Sequence, residues 1–113
     1  MIMPKQGDVI KVAFPFSNLG NSKERPGLVL SPDEYFKRTN EILVMQITSR
    51  NSLFRNQYPI KEWKQAGLKK PSWVRYLVLQ HIHVSLVVDV LGEFPRDEYA
   101  AVVSLLAETI AIV

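Results

Sequence analysis

The apolar and polar positions of this chain alternate mostly with a period of two. From Asp8 to Phe14, Ile10, Val12 and Phe14 fall on one side and Lys11 on the other, the pattern of a half-buried strand. Pro15 has no amide donor and can end that ladder. Ser17 to Glu24 (SNLGNSKE) is polar and turn-rich, which predicts a mobile loop. Arg25-Pro26 then opens the apolar run Gly27 to Leu30, short enough for a buried strand. Ser31 to Asn40 holds a Ser-Pro turn and room for one helical turn. In Glu41 to Ser49, Leu43, Met45 and Ile47 share one face and Ile42, Val44, Gln46 and Thr48 the other. Apolar residues on both faces predict a central strand.

The second half continues in short pieces. Arg50 to Tyr58 has no period and predicts a loop entering an extended piece at Tyr58–Ile60. Lys61 to Ala66 fits one helical turn packed down by Trp63, with Gly67 as its C-cap. From Trp73, the positions Trp73, Arg75, Leu77 and Leu79 face one way and Val74, Tyr76, Val78 and Gln80 the other. Leu86 to Leu91 predicts a strand ended by Gly92. Pro95 opens a helix whose stripe is Tyr99, Val102, Val103, Leu106 and Ile110, with Asp97 and Glu98 at its positive end. Six short strands joined mainly by loops, then one helix, predict a mainly β fold: an antiparallel sheet or small barrel.

Composition narrows the classes. At 113 residues the chain predicts one domain spanning 1–113. It has no cysteine, which excludes disulfides, thiol catalysis and cysteine zinc sites and permits a reducing compartment. No apolar run approaches the roughly 18 residues that a membrane span needs. The start, MIMPKQGD, lacks a signal-peptide apolar region. A cytoplasmic protein with no membrane partner is the expectation. Net charge is +3, divided as +7 over residues 1–80 and −4 over 81–113. A basic body suits a polyanion, and equally an ordinary soluble surface.

Phosphate loops of the GxxxxGK(S/T) or GxGxxG type, a GxSxG elbow and HExxH are absent, and no DxD-type acidic pair is seen. What remains at predicted strand ends is a set of cations and hydroxyls: Arg25, Thr48, Ser49, Ser72 and Arg75. Such a set suits an anion, most simply a phosphodiester. Arg25 reads either as a solvated strand end or as an anion ligand where a loop meets a rigid strand. Arg75, inside an apolar strand, needs an acid partner such as Glu41 or Asp89, or an anionic ligand. The loop with Arg50, Phe54 and Arg55 can follow a phosphodiester backbone and stack a base, or be a surface loop tacked down by Phe54. His81 and His83, two apart, share a face in an extended segment and are candidate acid/base groups. A metal site would need a third ligand, and none is nominated. Cleavage of RNA without metal or cofactor needs only that the 2′-hydroxyl lose a proton, the leaving oxygen gain one and the phosphorane charge be stabilised. DNA, lacking that hydroxyl, cannot react this way.

The segments GDVIKVAFPFSNLGNSKERPGLVLS, then ITS at Ile47–Ser49, then GLKKPSWVR at Gly67–Arg75, and LGEFPRDEYAAVVSLL, resemble the PemK/MazF family of type II toxins in order and spacing. The resemblance covers most of the chain. It implies a small SH3-like antiparallel β-barrel of the PemK/MazF/CcdB kind with a C-terminal helix, forming a homodimer. It implies a sequence-selective, metal-independent endoribonuclease acting on single-stranded RNA. That enzyme leaves a cyclic phosphate and a 5′-hydroxyl, and is inhibited by a cognate antitoxin whose tail occupies the RNA groove. Arg25 matches the family's catalytic arginine in Arg-Pro, and Thr48 its catalytic threonine in Ile-Thr-Ser. Arg75 matches an arginine that some members use. The Ser17–Glu24 loop, with Lys23, would flank the groove, where Ser49, Ser72, Arg50, Arg55 and Phe54 are the further RNA contacts.

The chain departs from the family at three points. Where many relatives carry an acid, two residues beyond Arg75, stands Leu77. Val78 stands where a basic residue often follows, and His81-Ile82-His83 replaces a Thr-x-Asp pattern. One candidate general base is thereby lost. An Arg/Thr-only mechanism, a recruited histidine and weakened catalysis all stay open. The runner-up reading is a module that binds nucleic acid, RNA or DNA, or the antitoxin without turnover. A weaker third is a poison of another target such as DNA gyrase.

Overall fold

In the computed structural model, residues 2–15 and 22–112 are described, the side chains of 14, 15 and 22 excepted. The strands are β1 (Asp8–Pro15), β2 (Ser22–Val29), β3 (Glu41–Thr48), β4 (Gln57–Pro59), β5 (Trp73–His83) and β6 (Val87–Glu93). Helix α1 (Asp33–Thr39) lies between β2 and β3, a 3-10 turn (Val84–Leu86) precedes β6, and α2 (Arg96–Ile110) follows it. All pairs are antiparallel, in the order β4-β5-β3-β2-β1-β6. Mainly β with a C-terminal helix is therefore what forms. Among the described residues β4 and β6 do not pair, so the ladder is barrel-like without closing.

Strand alternation sends neighbouring residues into two cores. Val9, Leu28, Met45, Ile47 and Val74 join Tyr58, Ile60, Phe94 and Val102 under α2 and the 61–67 turn. Ile10, Val12, Val29, Ile42, Val44 and Ile82 join Phe36 of α1 on the other face. β3 feeds both cores from between β5 and β2, as its two apolar faces predict.

Three boundaries differ from the sequence pattern. β2 starts at Ser22, so Lys23 and Glu24 belong to a strand, paired with Phe14 and Ala13, rather than to a loop, and Arg25 lies inside that strand opposite Val12 rather than at its start. The rest of the predicted 17–24 loop lies outside the described residues. The Ser31–Asn40 segment forms two helical turns, closed by Asn40 with φ 59. β6 runs through Gly92 to Glu93; Gly92 does not end it. A Cβ there would stand 2.5 Å from the Ala66 carbonyl carbon, so this glycine lets the 61–67 turn press against β6. Gly67 has φ +81 and a hypothetical Cβ 2.0 Å from Leu91 O, which fits its predicted place as the turn's C-cap.

The turn is tied down by a buried carboxylate that its own sequence does not contain. Glu98, 2% exposed on α2, accepts hydrogen bonds from Tyr58 Oη (2.7 Å) and from the backbone N–H groups of Lys61 (2.7 Å) and Glu62 (2.9 Å). It caps the turn from a distance. Burial, then the bond to Glu98 and its charge, push the Tyr58 hydroxyl well above its ordinary value.

Candidate nucleic-acid cleft

The cleft exists because β2 and β3 pair over only part of their length. Leu30 N donates to Leu43 O at 2.8 Å, and the ladder runs through Leu28↔Met45 to Gly27↔Gln46. In β2 the even positions point their amides toward β3, so the next donor would be Pro26, aimed at Ile47. Proline has no N–H, and the ladder stops there. Beyond it β2 stays paired to β1, and β3 to β5. Arg25 and Thr48 lie one register step beyond that missing Pro26–Ile47 pair. By alternation they lie, with Gln46, on the face that carries Val12 and Val44.

The gap between the parted strands is a cleft of about 840 Å³. Lys23 and Arg25 line it from β2, Thr48, Ser49 and Arg50 from the end of β3, and Lys69, Lys70, Ser72 and Arg75 from the run into β5. Lys11 joins them from β1, and Glu24 supplies the one carboxylate among the described lining residues. None of these cations makes an ion pair with a described residue, where His81–Glu41 at 3.6 Å is the one such pair. Seven cations against one carboxylate, none of them ion-paired among the described residues, give a concave site an anion-binding field.

Two of the three hydroxyls in the cleft have a fixed setting. Thr48, 7% exposed, accepts from Arg50 N at 3.1 Å through Oγ1, which leaves its own proton to donate. Ser72 Oγ donates to Lys70 O at 2.9 Å and so holds the Lys69–Lys70 segment; Ser49 is exposed.

Arg75 is half-buried and bonds to neither Glu41 nor Asp89. Its Nη1 donates to Gln46 Oε1 at 3.1 Å, while its Nε is buried without a partner. Burial, followed by repulsion from Arg55, Arg25 and Arg50, pushes its guanidinium below the ordinary arginine value. An arginine in that setting keeps its charge and donors uncommitted to any described carboxylate. Opposite the junction of Met45 and Gln46, β5 carries three residues, Tyr76 to Val78, without register partners on β3. The predicted alternation of β5 breaks there, and Leu77 turns to solvent, 45% exposed.

A second cavity of about 240 Å³ adjoins through Arg75 and is lined also by Phe54, Arg55, Asn56, Leu77 and Val78. Phe54 is 98% exposed, so it does not tack its loop down. Gln57 does that, donating to Arg50 O at 3.0 Å and accepting from Ser52 N at 2.9 Å.

His81 and His83 stand apart from both cavities. Glu41↔His83 closes one end of the β3–β5 ladder and Thr48↔Trp73 the other, roughly 20 Å along an extended strand. His81 Nε2 shares a 2.7 Å hydrogen bond with Tyr35 Oη. His83 Nδ1 accepts from Ser85 N at 3.1 Å and caps the 3-10 turn. Their expected role as acid/base partners of Arg25 and Thr48 therefore fails within one chain, because register carries them to the wrong end. Lys11, Lys69, Lys70, Glu24 and Gln46 are site residues that the sequence pattern does not nominate. The Lys-Lys-Pro-Ser run was a signal for two of them; the others owe their place to pairing alone. Among the described residues no three His, Asp or Glu side chains gather as a metal site, and no helix is long and apolar enough to cross a membrane.

The family model described as "PemK-like, MazF-like toxin of type II toxin-antitoxin system" matches residues 5–110. No curated protein sequence matches the chain. Among solved structures, MazE-MazF (Form-III) from Deinococcus radiodurans aligns with TM-score 0.79 and 22% identity, over 99% of this chain and 100% of that one. An endoribonuclease in complex with its cognate antitoxin, from a mycobacterial species, aligns with TM-score 0.73 and 14% identity, over 97% and 99%. The Mycobacterium tuberculosis toxin MazF-mt6 aligns with TM-score 0.71 and 20% identity, over 89% and 93%. At these identities the likeness is one of fold.

Proposed function

The chain belongs to the PemK-like, MazF-like family of type II toxins, and from that premise we propose that it is a metal-independent endoribonuclease that cuts single-stranded RNA in the cleft between β2 and β3. The observation that carries the reading is the convergence of Arg25, Thr48 and Arg75 on one cleft whose cations have no acid partner among the described residues. A phosphodiester is the ligand that such a set of donors suits.

In the reaction the 2′-hydroxyl attacks the adjacent phosphorus, the P–O5′ bond breaks, and a 2′,3′-cyclic phosphate and a 5′-hydroxyl form. Arg25 faces the phosphorane oxygens, where charge develops, and supplies the proton for the departing 5′-oxygen. Thr48 donates its free proton to a non-bridging oxygen. Arg75 holds the scissile or an adjacent phosphate. With Leu77 standing where relatives carry an acid, the 2′-hydroxyl proton passes to water, as an Arg/Thr-only mechanism requires. Lys23, Ser49, Arg50 and Ser72 carry the strand along the cleft, and Phe54 with Arg55 receives a flanking base in the second cavity. DNA presents the same phosphates without the attacking hydroxyl, so it would be bound and not cut. The protein works in the cytoplasm as a homodimer, and a cognate antitoxin silences it by covering the cleft. The mycobacterial endoribonuclease seen with its antitoxin supports that partner.

The test is incubation of single-stranded RNA with the protein in the presence of a chelator, beside Arg25→Ala, with the product ends mapped. Cyclic phosphate and 5′-hydroxyl ends from wild type alone support the reading. RNA bound tightly and left intact by wild type would point instead to a binding module.

A further inference from the structure

Arg75 is the middle of a row of three residues paired across strands. Gln57 on β4 stands on one side of it and Gln46 on β3 on the other. The Gln57 amide is engaged with its own loop at Arg50 and Ser52. The Gln46 amide takes a single N–H of the guanidinium, Nη1 at 3.1 Å. Nε stays buried and unpartnered, and the same side chain lines both cavities.

A half-buried arginine between strands is ordinarily matched by a carboxylate. Glutamine differs from glutamate by one group, with nearly the same reach. A glutamate at 46 would grip the guanidinium at two points, cancel its charge and turn Arg75 into a structural ion pair. A neutral amide fixes one edge of the guanidinium plane and leaves the unit charge and the remaining donors to a ligand.

We propose that Gln46 is a positioning residue: its neutral amide holds Arg75 by one edge at the corner where the two cavities meet, keeping the charge free for a phosphate of the bound strand. The inference rests on the reading of the cleft as a site for single-stranded nucleic acid. It goes beyond that reading in assigning a role to a residue that touches no substrate.

The experiment measures binding of a 2′-O-methyl oligoribonucleotide, which cannot be cleaved, to the full chain over a series of salt concentrations. Gln46→Glu is expected to bind about tenfold more weakly, with a log–log salt slope smaller by about one, because one cation has been neutralised internally. Gln46→Ala keeps the wild-type slope, since Arg75 stays charged, and loses affinity a few-fold. A merely structural role for Gln46 would not move the slope. A folded Gln46→Glu with wild-type affinity and slope overturns the inference while leaving the cleft reading intact. If Gln46→Glu does not fold, the pair Gln46→Ala and Arg75→Gln decides: losses that fail to add support coupling, and fully additive losses overturn it. If wild type binds no oligonucleotide, the cleft reading falls, and inorganic pyrophosphate becomes the probe. A melting-temperature rise in wild type that Gln46→Glu lacks supports the role of Gln46; equal rises overturn it.

Discussion

Arg25 and Thr48 stand opposite each other just beyond the last paired residues of β2 and β3, Gly27 and Gln46. They sit on one sheet face at the mouth of the cleft, yet no ladder hydrogen bond joins their strands there. A guanidinium and a hydroxyl from distant parts of the chain thus line the same cleft. Each is carried on a rigid strand, and the space between is left open. If Arg25 stabilises the phosphorane as proposed, Arg25→Ala lowers the cleavage rate constant by about 10²–10³-fold. Thr48→Val, which loses a neutral donor, is expected to cost about tenfold. Single-turnover assays beside melting curves separate these losses from unfolding.

Pro26 is what keeps the cleft open. Pro26→Val restores an amide aimed at Ile47 O and lets the ladder zip two residues further. The variant is expected to melt at the same or a higher temperature while RNA cleavage falls by at least about tenfold. Hydrogen exchange that finds a newly protected amide at position 26 would identify the cause. Cleavage at the wild-type rate would remove the proline from this account.

Tyr58 and Glu98 set an alkaline limit on stability. The folded Tyr58 hydroxyl ionises above its ordinary 10.0, because burial and the neighbouring carboxylate oppose a second negative charge. The folded state therefore holds this proton more tightly than the unfolded one. The contribution is complete below about pH 10 and is lost as pH rises toward the raised value. Tyr58→Phe is expected to cost about 2 kcal/mol at neutral pH, for a lost bond to a charged acceptor, and to flatten the fall in stability above pH 10. Denaturant titrations at several alkaline pH values measure both.

Phe54 is an unusual residue to leave in water, and it borders the second cavity beside Arg55 and Asn56. Phe54→Ala is expected to leave the melting temperature unchanged, since almost none of the ring is buried. It should weaken binding of single-stranded RNA by about 1–3 kcal/mol through loss of a stacked base. Binding curves for both proteins at one salt concentration decide the point.

Gly67 combines a left-handed backbone with backbone contact against Leu91. Gly67→Ala meets both penalties, and a cost of about 3 kcal/mol is expected. The loss of the 61–67 turn would also displace Lys69 and Lys70 from the cleft. Urea unfolding gives the cost, and the salt slope of RNA binding shows whether those cations have left.

The sequence by itself determined the alphabet of elements: six short strands, a terminal helix, two apolar faces on Glu41–Thr48 and a glycine-capped turn at Gly67. Those features depend on periods of two and 3.6 and on local backbone freedom, which a chain carries without its partners. The family motifs likewise mark Arg25, Thr48 and Arg75 as candidates without reference to their geometry. Only the tertiary structure decided where β2 parts from β3, that Arg75 meets Gln46 rather than an acid, and that His81 and His83 belong to the opposite end of the ladder. It also decided that Lys11 and Glu24 share the cleft, and that Gly92 serves close approach rather than strand ending. Register, bulges and a missing amide at Pro26 are properties of pairs of strands, and a period read along one strand holds no information about its partner.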